Sequence, residues 1–517
     1  MEQAIRHVVI LGGGSAGWLT AAVLAAEHDT ASGCGLRITL IESPDVRTVG
    51  VGEGTWPTMR DTLRRTGVSE TEFIRQCDAA FKQGSKFVRW RDDSEGDYYH
   101  HPFVLPPGYL DTNLVAGWMA HSDVPFSMLT CYQAHLCEAG KSPKQFATPE
   151  WAGVANYSYH LDAARLGAFL RAHCVERLGV RHVSDHMVGV NTHDNGDIAS
   201  LQTRDQGAIE GDLFIDCSGM RALLIGQHYG VEIESQKGVL FNDRAIAVQV
   251  PYVDPRVEIA CQTISTAQEA GWIWDIGLQS RRGIGHVYSS THTTDDEAEA
   301  ALRRYVVATG GRESDIHTLP HITIKPGFRR GGWHRNCVAV GLASGFMEPL
   351  EASSLVMVEL AAGMLAEQMP ATRAAMDIVA RRYNDTFSYR WDRIVDFLKL
   401  HYVLSKRDDS DYWRDNRLPE TIPERLRQQL ELWRHLPPSR HDLHRVEEVF
   451  PSASYQFILY GMGFMPDARP TTRRMDDVAR AEGYFHESAE MARKMLAALP
   501  GHREMLDHVN TRGMPRI

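Results

Sequence analysis

Gly12, Gly14 and Gly17 follow the apolar run Val8–Leu11 at G-x-G-x-x-G spacing. HVVILGGGSAGWLTAAVLAAE therefore reads as a buried parallel strand, a glycine turn and a helix that opens near Ser15 and Ala16. The first glycine permits the tight turn, the second lets a pyrophosphate approach the backbone, and the third lets the helix pack closely. Free N–H groups at the helix start then point at the phosphates. A second strand, LRITLIE, ends in Glu42, about 25 residues beyond Gly17, near the spacing at which an acid accepts ribose hydroxyls. Strand, turn, helix, strand and acid in this order predict a dinucleotide-binding α/β unit.

Two later segments narrow the dinucleotide to FAD. DLFIDCSGMRALL, residues 212–224, carries Asp216-Cys217-Ser218-Gly219 behind an apolar run and resembles the second flavin-contact segment of FAD-dependent monooxygenases. NCVAVGLASGFMEPLEASS, residues 336–354, stands where those enzymes bring a strand to the flavin and then start a helix. The hydroxylases usually place glycine-aspartate there, whereas this chain has Gly341-Leu342.

Composition removes several other classes. A net charge of −11 (55 basic residues against 66 acidic) argues against nucleic acid as a partner. No apolar run approaches the ~20 residues of a membrane helix. The first residues lack a signal peptide's organisation. None of the eight cysteines forms a C-x-x-C pair, so no metal site is expected, and scattered thiols fit a reducing cytoplasm.

GWIWDIGLQS, residues 271–280, places Trp272 and Trp274 on one face of a strand. Taken alone, the pair reads as core filling. It stands in order with GGGSAGW, VGVGEGTWPT (49–58), FKQGSKFVRW (81–90), GFMEPLEASSL (345–355) and RYNDTFSYRWDRIVDFLKLHY (382–402). Together these segments resemble the flavin-dependent halogenases of the tryptophan halogenase family over nearly the whole chain. The family signature W-x-W-x-I-P is present except that Gly277 replaces proline. The resemblance implies that the two indoles keep organic substrate away from the flavin.

It also implies a division of labour. Reduced FAD from a separate flavin reductase yields hypohalous acid from oxygen and chloride or bromide. That oxidant travels through a tunnel to an arene held elsewhere. Lys82 matches the family's essential lysine, with Lys86 as its competitor; it either donates a hydrogen bond to the oxidant or forms a haloamine. Glu351 matches the second catalytic residue, with Glu348 beside it. A carboxylate there stabilises the cationic ring and takes its proton. Ser353 and Ser354 match the halide site at a helix start. Val188, Leu342 and Leu355 fall where family members touch the flavin. His101 and Phe103 match a stacking pair for an indole, although a lone His-x-Phe is otherwise a core or turn pattern.

HLPPSRHDLHRVEEVFPSASY, residues 435–455, lacks the tyrosine pair and aromatic lid with which tryptophan enzymes clamp the amino-acid zwitterion. Pro451 stands at the lid, and Glu447 and Glu448 are out of register. The expected substrate is an indole or another electron-rich arene rather than free tryptophan. The expected architecture is an FAD-binding α/β unit of the flavin monooxygenase (GR2) type built from about 1–80, 160–250 and 320–370. Mixed-sheet insertions at about 81–159 and 251–319 and a helical region at 371–517 complete it. The rival readings are an FAD-dependent hydroxylase and a non-catalytic flavin-binding protein.

Overall fold

The structure, a computed structural model, describes residues 4–33, 35–46, 52–317, 319–467 and 477–516. Residues 49–51 of the VGVGEGTWPT segment therefore lie outside the described residues. The chain folds into two compact units, the first built from residues 1–79, 161–236 and 325–391 and the second from 80–160, 237–324 and 392–517.

The first unit is built on a six-stranded sheet. Its order is Trp333–His334, Cys337–Ala339, Leu213–Asp216, His7–Leu11, Arg37–Glu42 and Arg181–Ser184. All neighbours are parallel except the outermost pair, Trp333–His334 with Cys337–Ala339. Val8, Val9 and Ile10 are fully buried, as the unbroken apolar run requires of a strand covered on both faces. The helix Ser15–Glu27 packs against the helices Ala163–Glu176 and Ser353–Glu367. A small antiparallel sheet, Met187–Thr192, Ile198–Thr203 and Ala208–Glu210, extends this unit.

The second unit carries a seven-stranded mixed sheet. Its order is His321–Thr323, Arg244–Pro251, Arg281–Tyr288, Gly271–Gly277, Thr263–Gln268, Gly84–Val88 and Tyr98–Pro102. Only Thr263–Gln268 and Gly84–Val88 run parallel. One face packs Ile246, Val248, Ile273 and Ile284 against Ala298, Leu302 and Val306 of the helix Asp295–Ala308. Thr294 and Glu297 start that helix as a reciprocal capping box. Residues 237–250 fall in this unit rather than in the first because the strand Arg244–Pro251 pairs within its sheet. The chain from Asp392 onward, inside the helix Arg373–Val403, also belongs to it. Among the described residues, no helix is long and apolar enough to cross a membrane, and no cluster of His, Cys, Asp or Glu is placed to hold a metal ion.

Candidate active site

In the first unit, three chain turns meet at the carboxyl edge of adjacent parallel strands. Gly12 N donates to Ile41 O, Cys217 N to Leu11 O and Val340 N to Asp216 O, at 2.8, 2.8 and 3.0 Å. Gly12 has φ +118°, and a Cβ there would stand 2.2 Å from the carbonyl oxygen of Cys217. A Cβ on Gly17 would stand 1.8 Å from Gly12 O, so the helix can approach the turn only with glycine. Gly341, at φ +69°, likewise brings its turn against Ala16. Ser15 donates its hydroxyl to Ala163 O.

These residues fit a dinucleotide. A Cβ on Gly14 would have no atom within 4 Å, and the helix Ser15–Glu27 begins with no side-chain cap. Its first N–H groups are thus open to phosphate. The Glu42 carboxyl lies over Gly13, and its Oε2 is buried without a hydrogen bond. That oxygen sits 3.0 Å from His182 Nε2 in a geometry that makes none. An acceptor in this position suits ribose hydroxyls.

Asp216, expected at the cofactor, directs its carboxylate into its own segment. Its Oδ1 accepts from Ser218 N and Oγ, and its Oδ2 from Leu224 N and Ile225 N. The carboxylate is occupied in fixing the turn and the following helical segment. Val188 and Leu342 are exposed, whereas Leu355 is buried.

Glu351 and Ala352 form an unusual helix entrance. Both have left-handed backbone, φ 62° and 54°, immediately before the helix Ser353–Glu367. For residues with a Cβ this conformation is sterically unfavourable and persists only where surroundings enforce it. Trp56, inside the GEGTWPT segment, supplies one constraint by donating its indole N–H to Glu351 O at 2.7 Å. Ala352 gives the helix no side-chain cap, which leaves the amides around Ser353 and Ser354 suited to an anion. Ser353 and Glu351 are buried, as is Glu348.

In the second unit, Lys82 ends the short strand Ala80–Lys82, which pairs antiparallel with Ser158–Leu161. It is 1% exposed, so its stem and ammonium leave bulk water. Its Nζ lies 5.5 Å from the ring centroid of Phe103. His160 shares the face of Lys82, since Lys82 pairs with Ser158 and Ala80 with His160. Burial first, and then the nearby Lys82, hold the His160 pKa well below the ordinary histidine value.

The competitor Lys86 is differently employed. Its Nζ binds both Glu138 oxygens, at 2.7 and 2.9 Å, and sits over the Tyr98 ring. His101 is buried; its Nε2 shares a 2.8 Å hydrogen bond with Ser454 Oγ, and its ring touches Phe397 and Phe457. Sequence reasoning did not single out Trp56, His160 or Ser454. Trp56 and Ser454 lay within quoted segments, but nothing in their spacing marks the partner they find.

The tryptophan pair divides in two. The indoles share a face, with centroids 6.3 Å apart and nearly edge-on. Trp272 is 1% exposed and packs on Trp90, which touches Tyr402 and Trp413, so it belongs to an aromatic core. Trp274 is half-buried and lies across Gly285, where a Cβ would stand 2.1 Å from its ring. Gly277 replaces the family proline at a tight point, since a Cβ there would stand 2.8 Å from Ile259 Cγ2.

Against this geometry, the family model for tryptophan halogenase matches residues 7–477. The chain belongs to the tryptophan halogenase family. It is 34% identical to the 7-chloro-L-tryptophan 6-halogenase KtzR of Kutzneria sp. (strain 744), over 96% of this chain and 98% of that protein. A crystal structure of a tryptophan halogenase from Shewanella frigidimarina NCIMB 400 superposes with a TM-score of 0.95 at 46% identity, covering 99% of each chain. BrvH, a flavin-dependent halogenase from Brevundimonas sp. BAL3, does so with a TM-score of 0.85 at 33% identity, covering 98% of this chain and 99% of that one. As a member of this family the protein is a flavin-dependent halogenase, an oxidoreductase that uses reduced flavin, oxygen and halide.

Proposed function

We propose that this halogenase acts on an indole or a comparable electron-rich arene, uses chloride or bromide, and receives reduced FAD from a separate flavin reductase. The observation that carries the reading is the buried ammonium of Lys82 beside the face of Phe103. Lysines are ordinarily solvated, and burial of this one sets it apart from the surface population.

Bound reduced FAD, with oxygen and halide, supplies hypohalous acid. Gly12, Gly14, Gly17, Ala16 and Glu42 hold the dinucleotide, and the amides at Ser353 and Ser354 hold the halide. Lys82 receives the oxidant and donates a hydrogen bond to its oxygen, which makes the halogen more electrophilic. The aromatic face of Phe103 lies 5.5 Å from that amine and can interact with its charge through the ring quadrupole. Glu351 stabilises the ring cation formed by halogen addition and accepts the departing proton. His101, fixed by Ser454 and packed on Phe397 and Phe457, offers a rigid face for stacking an arene. Trp274, the indole left partly open, shields the oxidant's source from organic substrate.

Free tryptophan is a poor substrate in this reading, although relatives are named for it. Glu447 is exposed, and Glu448 accepts the amide of Arg445 at 2.8 Å. Phe450 is stacked on Phe397 at 3.7 Å between centroids. A buried zwitterion without partners costs several kcal/mol. The test supplies chemically reduced FAD, oxygen, bromide and indole without a reductase, and follows the bromine isotope doublet by mass spectrometry. Bromoindole is expected, with bromotryptophan formed far more slowly. Insertion of oxygen, or tryptophan outcompeting indole, overturns the reading.

A further inference from the structure

We infer that His502, from the carboxy-terminal helix His502–Arg512, is a positioning residue that sets the Lys82 strand by bridging its free edge to the segment Ile259–Cys261. The inference rests on the role proposed above for Lys82.

The strand Ala80–Lys82 pairs on one side only with Ser158–Leu161. Its other edge presents backbone N–H groups that need acceptors. Gln83 N finds one directly, Cys261 O at 2.7 Å. Phe81 N, two residues earlier on the same edge, does not bond the corresponding carbonyl of Ile259. It donates instead to His502 Nε2 at 2.9 Å, and His502 Nδ1 reaches Ile259 O at 2.9 Å.

An imidazole thus stands where a direct N–H···O=C contact would otherwise close the ladder. The two segments are joined at Gln83 and spread by the width of a ring at Phe81, and Lys82 is the residue between. Since Phe81 N–H can only donate, Nε2 must accept, which places the proton on Nδ1 and leaves the ring neutral. Burial agrees with this, lowering the His502 pKa to about 4.

The helix start is itself tied down. His502 N donates to Gly140 O, Ser142 N to Pro500 O, and Lys141 Nζ to Leu499 O, at 2.8, 3.0 and 2.9 Å. His502 is fully buried, and its ring centroid lies 5.9 Å from that of Phe81. Its hydrogen bonds to Phe81 N and Ile259 O pass its effect to Lys82 through the strand.

The experiment measures, in the full-length enzyme, the ratio of halogenated indole to hypohalous acid captured by a water-soluble β-dicarbonyl scavenger. His502→Leu removes both hydrogen bonds, whereas His502→Gln keeps one acceptor and one donor. We expect the leucine variant to lower the ratio by on the order of ten- to a hundredfold, as misplacement of a reacting group does. The glutamine variant should restore most of it. A general loss of folded protein lowers both products together and leaves the ratio unchanged, which overturns the inference, as does a glutamine variant as impaired as leucine. If the leucine variant does not fold, His502→Met is read by the same ratio. Lys82→Met run alongside separates the two claims. If it leaves arene halogenation intact, the role of Lys82 fails and this inference with it. If it lowers the ratio while His502→Leu does not, only the bridge fails.

Discussion

Trp56 holds the carbonyl of Glu351 through a 2.7 Å hydrogen bond that spans 295 residues of sequence. The peptide it fixes lies between two left-handed residues, Glu351 and Ala352, at the mouth of the helix Ser353–Glu367. The carboxylate expected to take the arene's proton therefore points where tertiary structure puts it, against the local preference of its own backbone.

Replacing Trp56 by phenylalanine keeps an aromatic ring, though a smaller one, and removes the donor. Global stability should fall by about 1 kcal/mol, the usual net worth of one hydrogen bond. Halogenation should fall further, by on the order of tenfold, because the Glu351 peptide relaxes. Denaturant melts and single-turnover product yields check this. A variant that loses stability but halogenates as the parent does would show that the bond serves packing alone.

Glu359, in the same helix, accepts the Thr62 hydroxyl at 2.7 Å, and burial raises its pKa from 4.5 to about 8. Between those values the folded protein keeps a proton that the unfolded chain has released. Stability must therefore fall as pH rises through that window and level off above it. Glu359→Gln cannot titrate, so it should gain on the parent by more than ~1.4 kcal/mol between about pH 5 and about pH 8, the equivalent of one pKa unit. Parallel urea melts across this range give the difference, and two curves with the same slope would refute a neutral Glu359.

Lys86 is the control for Lys82. Its ammonium is engaged by Glu138, whose pKa is held down to about 2 chiefly by hydrogen bonds from His100 and Lys86, against the cost of burial. Partly exposed ion pairs contribute about 0–1 kcal/mol. Lys86→Ala should cost no more than that and leave the ratio of halogenated arene to escaped oxidant unchanged. A collapse of that ratio on this substitution would move the assignment from Lys82 to Lys86.

What the sequence disclosed depended on how local each constraint is. The glycine turn was legible because Gly12 and Gly17 each answer a contact that a Cβ would violate within the turn itself. The shared face of Trp272 and Trp274 was legible because strands alternate. Their separate fates were not, since Trp272 is buried by Trp90, whose own neighbours Tyr402 and Trp413 lie more than 300 residues away. Asp216 was read as a cofactor contact because of its segment, and the four nearby donors that hold its carboxylate were not marked by spacing. Glutamate and alanine carry no preference for left-handed backbone, so nothing local announces the entrance at Glu351. The contact of His502 with Phe81 spans 421 residues and leaves no spacing to read.

The most direct test of the account replaces Lys82 by methionine, which keeps an unbranched side chain, one atom shorter, and removes the ammonium. With reduced FAD, oxygen, bromide and indole, the variant should still release hypobromous acid to the scavenger. Bromoindole should drop by on the order of a hundredfold or more, since the oxidant is no longer held against the ring. Bromoindole formed by Lys82→Met at the parent's rate would contradict the claim that this amine carries the halogen to its target.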